Sequence, residues 1–150
     1  MTDRPDSPAA LKARALRHLV RREHSRAELA RKLAPHAGSH EELEALLDSL
    51  VARKQLSDER YAEERARVLG RKYGAAKIRH DLRAKGISGG IVGAVSSEGE
   101  LERARAILER KYREPAASRE ERARRARFLQ GRGFSGDVIA RLVLDREDST

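Results

Sequence analysis

The chain has 150 residues, with 33 Lys+Arg against 24 Asp+Glu, a formal charge of +9 and a pI near 10.4, which makes a polyanion, or a partner that handles one, the leading candidate ligand. Zero Cys excludes disulfides, thiolate catalysis and Cys-ligated zinc, and no run approaches the ~18 apolar residues of a membrane span, so a soluble, cytoplasmic protein with no membrane contact is expected. Charged residues are 38% of the chain and 23 of its apolar residues are Ala, a composition for small cores under a large charged surface, and so for an extended helical chain.

Residues 1–8 hold two Pro and alternating charges with nothing to bury, and read as a frayed tail. Ala9 to Arg22 is amphipathic, with Leu16, Leu19 and Val20 at helical spacing. Ser25 with Glu28 is a capping box that starts the next helix. After a turn at Pro35-His36-Ala37 and Gly38, a third segment carries Leu43, Leu46, Leu47 and Leu50. Ser57 followed by Asp58 and Glu59 marks a further helix start, the acids suiting the positive end of the helix dipole. Gly86 and Gly133 each close a helical segment and precede a large apolar residue, Ile87 and Phe134, the pattern of a C′ glycine at positive φ. The polar end is a second tail.

An internal repeat follows. Leu82, Gly86, Ile87, Ser88, Ile91 and Val95 match Leu129, Gly133, Phe134, Ser135, Val138 and Leu142 without a gap. The same frame falls on Leu33, Gly38, Ser39, Leu43 and Leu47 if one extra residue is allowed in the first turn. The predicted architecture is all-α: three tandem three-helix repeats over 9–54, 57–97 and 98–146, between tails at 1–8 and 147–150, in an elongated, curved row.

The last helix pair of each unit has helix-turn-helix spacing, so a DNA-binding transcriptional regulator is one reading. The would-be recognition helices argue against it: the first carries Glu41, Glu42, Glu44 and Asp48, the second has no basic residue, and the third has only Arg141 before its tail, whereas major-groove readout needs Arg, Lys, Asn or Gln. Positive charge lies instead on the first and second helices. In the middle unit these cations are Arg65, Arg67, Arg71, Lys72, Lys77, Arg79, Arg83 and Lys85. Arg79 and Arg83 stack at i, i+4, where two guanidinium groups can engage neighbouring phosphates or carboxylates. Each single Arg also fits a solvated face with helical ion pairs. The aromatics are Tyr61, Tyr73, Tyr112, Phe128 and Phe134, the two Phe expected in the core; contact with nucleic acid is therefore expected to be mainly electrostatic.

His36 and His40 straddle a turn, no HExxH pattern and no phosphate loop occur, and no nucleophile motif is present. A protein without catalysis, metal or cofactor is expected.

Several stretches together resemble the bacterial regulatory RecX family: Arg22 through Leu29, Leu56 through Ala62, Gly74 through Ile78 to Leu82, Lys85-Gly86-Ile87, and Phe128-Leu129 with Arg132-Gly133-Phe134. The resemblance covers about residues 11–146 in order. It implies a modulator that binds the RecA–DNA filament, lies along its groove and restrains strand exchange, ATP hydrolysis and repressor cleavage. A monomer with weak, salt-dependent affinity for single- or double-stranded DNA is expected, and Arg60 and Arg132, which lie in those motifs, join the candidate contacts. Tyr61 stands where the family usually has Phe, and Pro35-His36-Ala37 replaces its usual basic Lys-Gly turn.

Overall fold

Serine hydroxyls set most of the helix starts. Those of Ser7, Ser25, Ser39, Ser57, Ser118 and Ser135 each accept from the amide three residues on, satisfying a donor that the first helical turn leaves free. The computed structural model describes residues 4–144. Its first unit comprises α1 (Pro8–Arg21), α2 (Arg26–Leu33), a 3₁₀ turn at Ala34–His36 and α3 (His40–Ala52). The second comprises α4 (Asp58–Leu69), α5 (Ala75–Ala84) and the short α6 (Gly89–Gly93). The third comprises α7 (Glu100–Lys111), α8 (Arg119–Gly131) and α9 (Gly136–Ile139), continued by a π-type turn over Ala140–Leu144. No strand occurs among the described residues.

Each unit has its own core. Leu11, Ala15, Leu29, Leu33, Leu43, Leu47, Leu50 and Leu56 form the first; Tyr61, Ala62, Ile78, Leu82, Ile87 and Val92 the second; Ala104, Ile107, Leu129, Phe134, Ile139 and Val143 the third. Leu33, Leu82 and Leu129 are all 0% exposed, at equivalent places in the repeat. Dense helix packing is confined within units. Total accessible surface is 10004 Å² for 16.8 kDa, against about 7,600 Å² for a compact monomer of that mass, as three small cores in a row require.

Gly86 (φ 82°) and Gly133 (φ 92°) close α5 and α8 in the left-handed conformation, each followed by an amide that reaches back to a leucine carbonyl, Ile87 to Leu82 and Phe134 to Leu129. The first unit departs from this frame. Gly38 does not take positive φ, and α2 runs instead into the 3₁₀ turn at Ala34–His36; the left-handed residue of this unit is Lys54 at φ 62°, after α3, with the amides of Gln55 and Leu56 both turned onto the Leu50 carbonyl.

The two joints between units are copies of one arrangement. In the first, the Asp58 carboxylate at the start of α4 accepts from the Arg26 amide at the start of α2 at 2.7 Å. In the second, the Glu100 carboxylate at the start of α7 accepts from the Ala75 amide at the start of α5 at 3.0 Å. Each C′ glycine also rests on the preceding unit's middle helix. A Cβ on Gly86 would lie 3.2 Å from the Ala27 Cβ, and one on Gly133 would lie 2.7 Å from the Lys77 nitrogen. Gly74 faces Gly133 across the second joint, its amide donating to the Arg132 carbonyl at 2.7 Å.

Three local expectations are corrected. Pro8 is in α1, and Asp6 is held by its amide on the His36 carbonyl and by its carboxylate on Arg14 at 2.8 Å, so residues 6–8 are tied to the first unit rather than frayed. The capping box at Ser25 is one-sided: Glu28 turns to Arg22 at 2.6 Å instead of back to the cap, because a guanidinium binds a carboxylate more strongly than an amide does. Val20 points outward and is 86% exposed. Positions 145–150, which hold the end of the third unit and the second tail, lie outside the described residues.

Candidate functional site

Three of the basic residues singled out from the sequence, Arg60, Arg65 and Arg67, have carboxylate partners. Arg60 pairs with Glu23 across the first joint at 2.9 Å, Arg65 binds Asp81 through Nε and Nη2, and Arg67 pairs with Glu64 at 2.6 Å on the surface of α4. Arg65 and Asp81 are both half-buried, which makes this a clamp between α4 and α5. The expected pairing of Arg79 with Arg83 along one flank does not form a joint site. Arg79 donates to the Val95 carbonyl at 2.8 Å and to Ser97 Oγ at 3.2 Å, fixing the chain beyond α6, while Arg83 is exposed with no partner among the described residues. Ion pairing thus neutralises Arg60, Arg65 and Arg67, but not Arg79 or Arg83.

The remaining candidates gather at the second joint. Arg71, Lys72 and Tyr73, which follow α4, meet Arg110 and Lys111 at the end of α7 and Phe128 and Arg132 from α8 around a groove of about 430 Å³ floored by Ile107. No carboxylate lines it. Arg71, Lys72, Arg110 and Lys111 are exposed, and Arg132 is half-buried.

These cations are positioned without being neutralised. Arg110 donates through Nη2 to the Arg71 carbonyl at 2.8 Å. The Arg132 guanidinium lies 5.4 Å from the Tyr73 ring centre and 5.1 Å from that of Phe128, and Lys111 Nζ sits 3.9 Å from the Phe128 ring centre. Tyr112 meets Phe128 edge-on at 6.2 Å. On the rim, Lys77 Nζ donates to the Gly131 carbonyl at 3.2 Å and lies 5.0 Å from the Tyr73 ring centre. Ring faces and carbonyls attract a cation by their quadrupole and dipole but carry no net charge, so all of the positive charge stays available to a ligand. Phe128, expected in the core, is half-buried and serves as a platform for two cations; Phe134 is buried as expected.

The equivalent groove at the first joint has different chemistry. It is lined by Arg22, Glu23, Glu28, Tyr61, Glu64, Arg65, Val68 and Lys85, so its cations face three carboxylates. Arg22 holds the Glu28 carboxyl down at about 2. Beneath it, His24 is 2% exposed; its Nδ1 meets the Arg22 carbonyl at 3.1 Å and its Nε2 meets Lys32 Nζ at 3.0 Å. Burial holds the His24 imidazole below the usual histidine range, so it is neutral, with Nδ1 donating and Nε2 accepting from the Lys32 ammonium.

Arg110, Lys111 and the ring platforms were not identified from the sequence. A signal was present: Arg71-Lys72-Tyr73 and Arg110-Lys111-Tyr112 are the same tripeptide, each beyond or at the end of a unit's first helix. The third helices of the first two units carry no Lys or Arg for nucleic acid. Glu41 and Glu42 of α3 are exposed, Glu44 and Asp48 bind Arg26, and α6 has no charged residue.

The comparisons agree with this architecture. Residues 57–95 match the model of the RecX second three-helix domain and residues 98–143 that of the third. The regulatory protein RecX of Ralstonia nicotianae is 44% identical over 142 residues, spanning 93% of this chain and 89% of the relative. That of Leptothrix cholodnii is 47% identical over 137 residues, 89% of this chain and 87% of the relative. The crystal structure of RecX from Lactobacillus salivarius has the same fold, with a TM-score of 0.75 at 21% identity over 89% of this chain and 92% of that one. A row of three-helix units, two of them matched by RecX domain models, and identity above 40% over nearly the whole length place this chain in the RecX family.

Proposed function

We propose that this protein is a non-catalytic regulator of the RecA recombinase–DNA filament, that it inhibits strand exchange, ATP hydrolysis and coprotease activity, and that the groove at the second joint is its principal contact. The observation that carries the reading is the contrast between two equivalent grooves. The first joint is self-neutralised, whereas the second presents Arg71, Lys72, Arg110, Lys111 and Arg132 with no carboxylate among its lining residues. Such a concave patch focuses positive potential and suits phosphates of filament DNA or carboxylates on the recombinase surface. Arg geometry favours bidentate capture of either group.

The protein acts as a monomer in this reading, because each joint already buries the ends of its neighbours, and its affinity for free single- or double-stranded DNA is weak and salt-dependent. Lys77 flanks the contact and Arg83 adds exposed charge on α5; Lys85 lines the first-joint groove, and Arg60, Arg65, Arg67 and Arg79 hold the scaffold. The test is RecA ATPase on single-stranded DNA, with and without the protein, across a salt series. Inhibition that fades as salt rises supports the reading; ATPase unaffected by saturating protein at low salt refutes it.

A further inference from the structure

We propose that the groove between α4 and α6, on the face of α4 opposite the first-joint groove, docks an amphipathic helix of a protein partner that carries Lys or Arg beside an apolar ridge. The groove is about 670 Å³, floored by Ala62, Ala66, Ile91 and Val95, with Glu59 and Glu63 on its rim. The α4 residues that line it are opposite, at 100° per residue, to Tyr61, Glu64, Arg65 and Val68 of the first-joint groove. A cavity of about 570 Å³ adjoins it, sharing Glu59, Glu63 and Ile91 and running on to Val51, which is 44% exposed.

The repeat itself explains why this groove is open. In the first unit the third helix is thirteen residues long, and its later turns bring Leu47 and Leu50 to 0% exposure. In the middle unit the third helix is five residues long and the chain leaves it at Ala94. A span of about two helical turns, roughly 12 Å, is thus left without the helix that fills its counterpart. The shape that fits is a short helix with apolar residues at i, i+3 and i+4.

The rim specifies the flanks of that helix. Glu59 and Glu63 stand one turn apart, exposed, and neither has an ion-pair partner among the described residues. Close approach is also provided for. Gly90 lies on the rim with ordinary φ, and a Cβ built there would meet nothing within 4 Å, so neither backbone conformation nor internal packing calls for glycine at that position.

The probe is a fluorescein-labelled peptide of the α3 sequence, residues 40–52, carrying Glu41→Lys, Glu42→Lys, Glu44→Lys and Asp48→Lys, titrated into the full chain at low salt and followed by anisotropy. We expect saturable binding, at least tenfold weaker binding of the unmodified acidic peptide, and at least tenfold weakening of the Lys peptide by Glu59→Lys with Glu63→Lys. That double variant changes only exposed side chains, and unchanged circular dichroism verifies its fold; Ala66→Trp, which fills the floor, is the second variant. No binding of the Lys peptide, equal binding of the acidic peptide, or binding insensitive to the Glu59/Glu63 reversal overturns the proposal. A dimer in sedimentation that this reversal dissolves would give the groove to a second copy of the chain, and overturns it too. RecA is absent from the assay, so the outcome is independent of the basic groove.

Discussion

The Glu100 carboxylate, 5% exposed, accepts the Ala75 amide at 3.0 Å and thereby ties the first turn of α7 to the first turn of α5. Asp58 does the same for Arg26 one unit earlier. The repeat therefore extends beyond helices to the joints between them: an acid at the first position of one unit caps the middle helix of the unit before. Losing the acceptor leaves a buried amide unsatisfied, so Glu100→Ala should cost about 1–3 kcal/mol, measurable by urea denaturation. The Asp58→Ala variant should fall in the same range.

The second joint also requires glycine, for a reason separate from φ. Gly74 has φ −83°, an ordinary value, yet a Cβ there would sit 2.5 Å from the backbone carbon of Gly133. Gly74→Ala should therefore destabilise the protein and open the joint, while Gly93→Ala in the exposed α6, where a Cβ meets nothing, should be neutral or stabilising by up to about 1 kcal/mol. Gly86→Val, which forces a β-branched side chain into positive φ, should cost about 1–2 kcal/mol, and Gly133→Val more, because its Cβ would also run into the Lys77 backbone. Equal thermal stability of the Gly74 and Gly93 variants would count against this packing.

Lys54 presents the opposite case. It is exposed and holds φ 62° at the end of α3, a conformation that costs an L residue roughly 1–2 kcal/mol. Lys54→Gly should raise the melting temperature, the gain partly offset by the greater entropy of the unfolded chain.

Acidification should destabilise the first unit in two stages. The folded state holds His24 below the usual 6.5 through burial, so beneath that value the unfolded chain binds more protons and stability falls with pH. Glu28, at about 2 beside Arg22, contributes stability that is present above its ordinary 4.5 and lost as pH drops from there toward 2. Chemical denaturation at pH 7, 5.5, 4 and 3 should show a decline through both stages. His24→Gln should flatten the first stage, leaving the share of His18, also lowered by burial; Glu28→Gln should flatten the second.

Helix starts, the C′ glycines and the equivalent leucines were legible because each follows from local chemistry: a serine hydroxyl, a missing Cβ, a 3.6-residue period. The end of α3 was not, since nothing in the sequence near Lys54 announces a left-handed residue. The candidate site was only half legible for a similar reason. Whether Arg65 or Arg71 is neutralised depends on Asp81 lying across the α4–α5 packing and on the lack of any acid beside Arg71, which periodicity within one helix cannot reveal. Phe128 reads as core by its spacing, yet one flank of it opens onto the groove and carries Lys111.

The groove can be probed with variants that leave the scaffold alone. Arg71→Glu with Lys72→Glu reverses two exposed side chains without ion-pair partners among the described residues, so folding stability should change by no more than about 0.5 kcal/mol each. Arg67→Glu, equally exposed on α4 but paired with Glu64, is the matched control. The most direct measurement is the affinity of each variant for RecA filaments on single-stranded DNA at 0.1 M salt, where the screening length is about 10 Å, and again at 1 M, where it is about 3 Å. The double reversal should weaken binding at least tenfold at low salt and reduce the salt dependence, with Arg67→Glu within about twofold of the parent. Parental affinity in the double variant, or an equal loss in the Arg67 variant, would contradict the assignment of the second-joint groove as the contact.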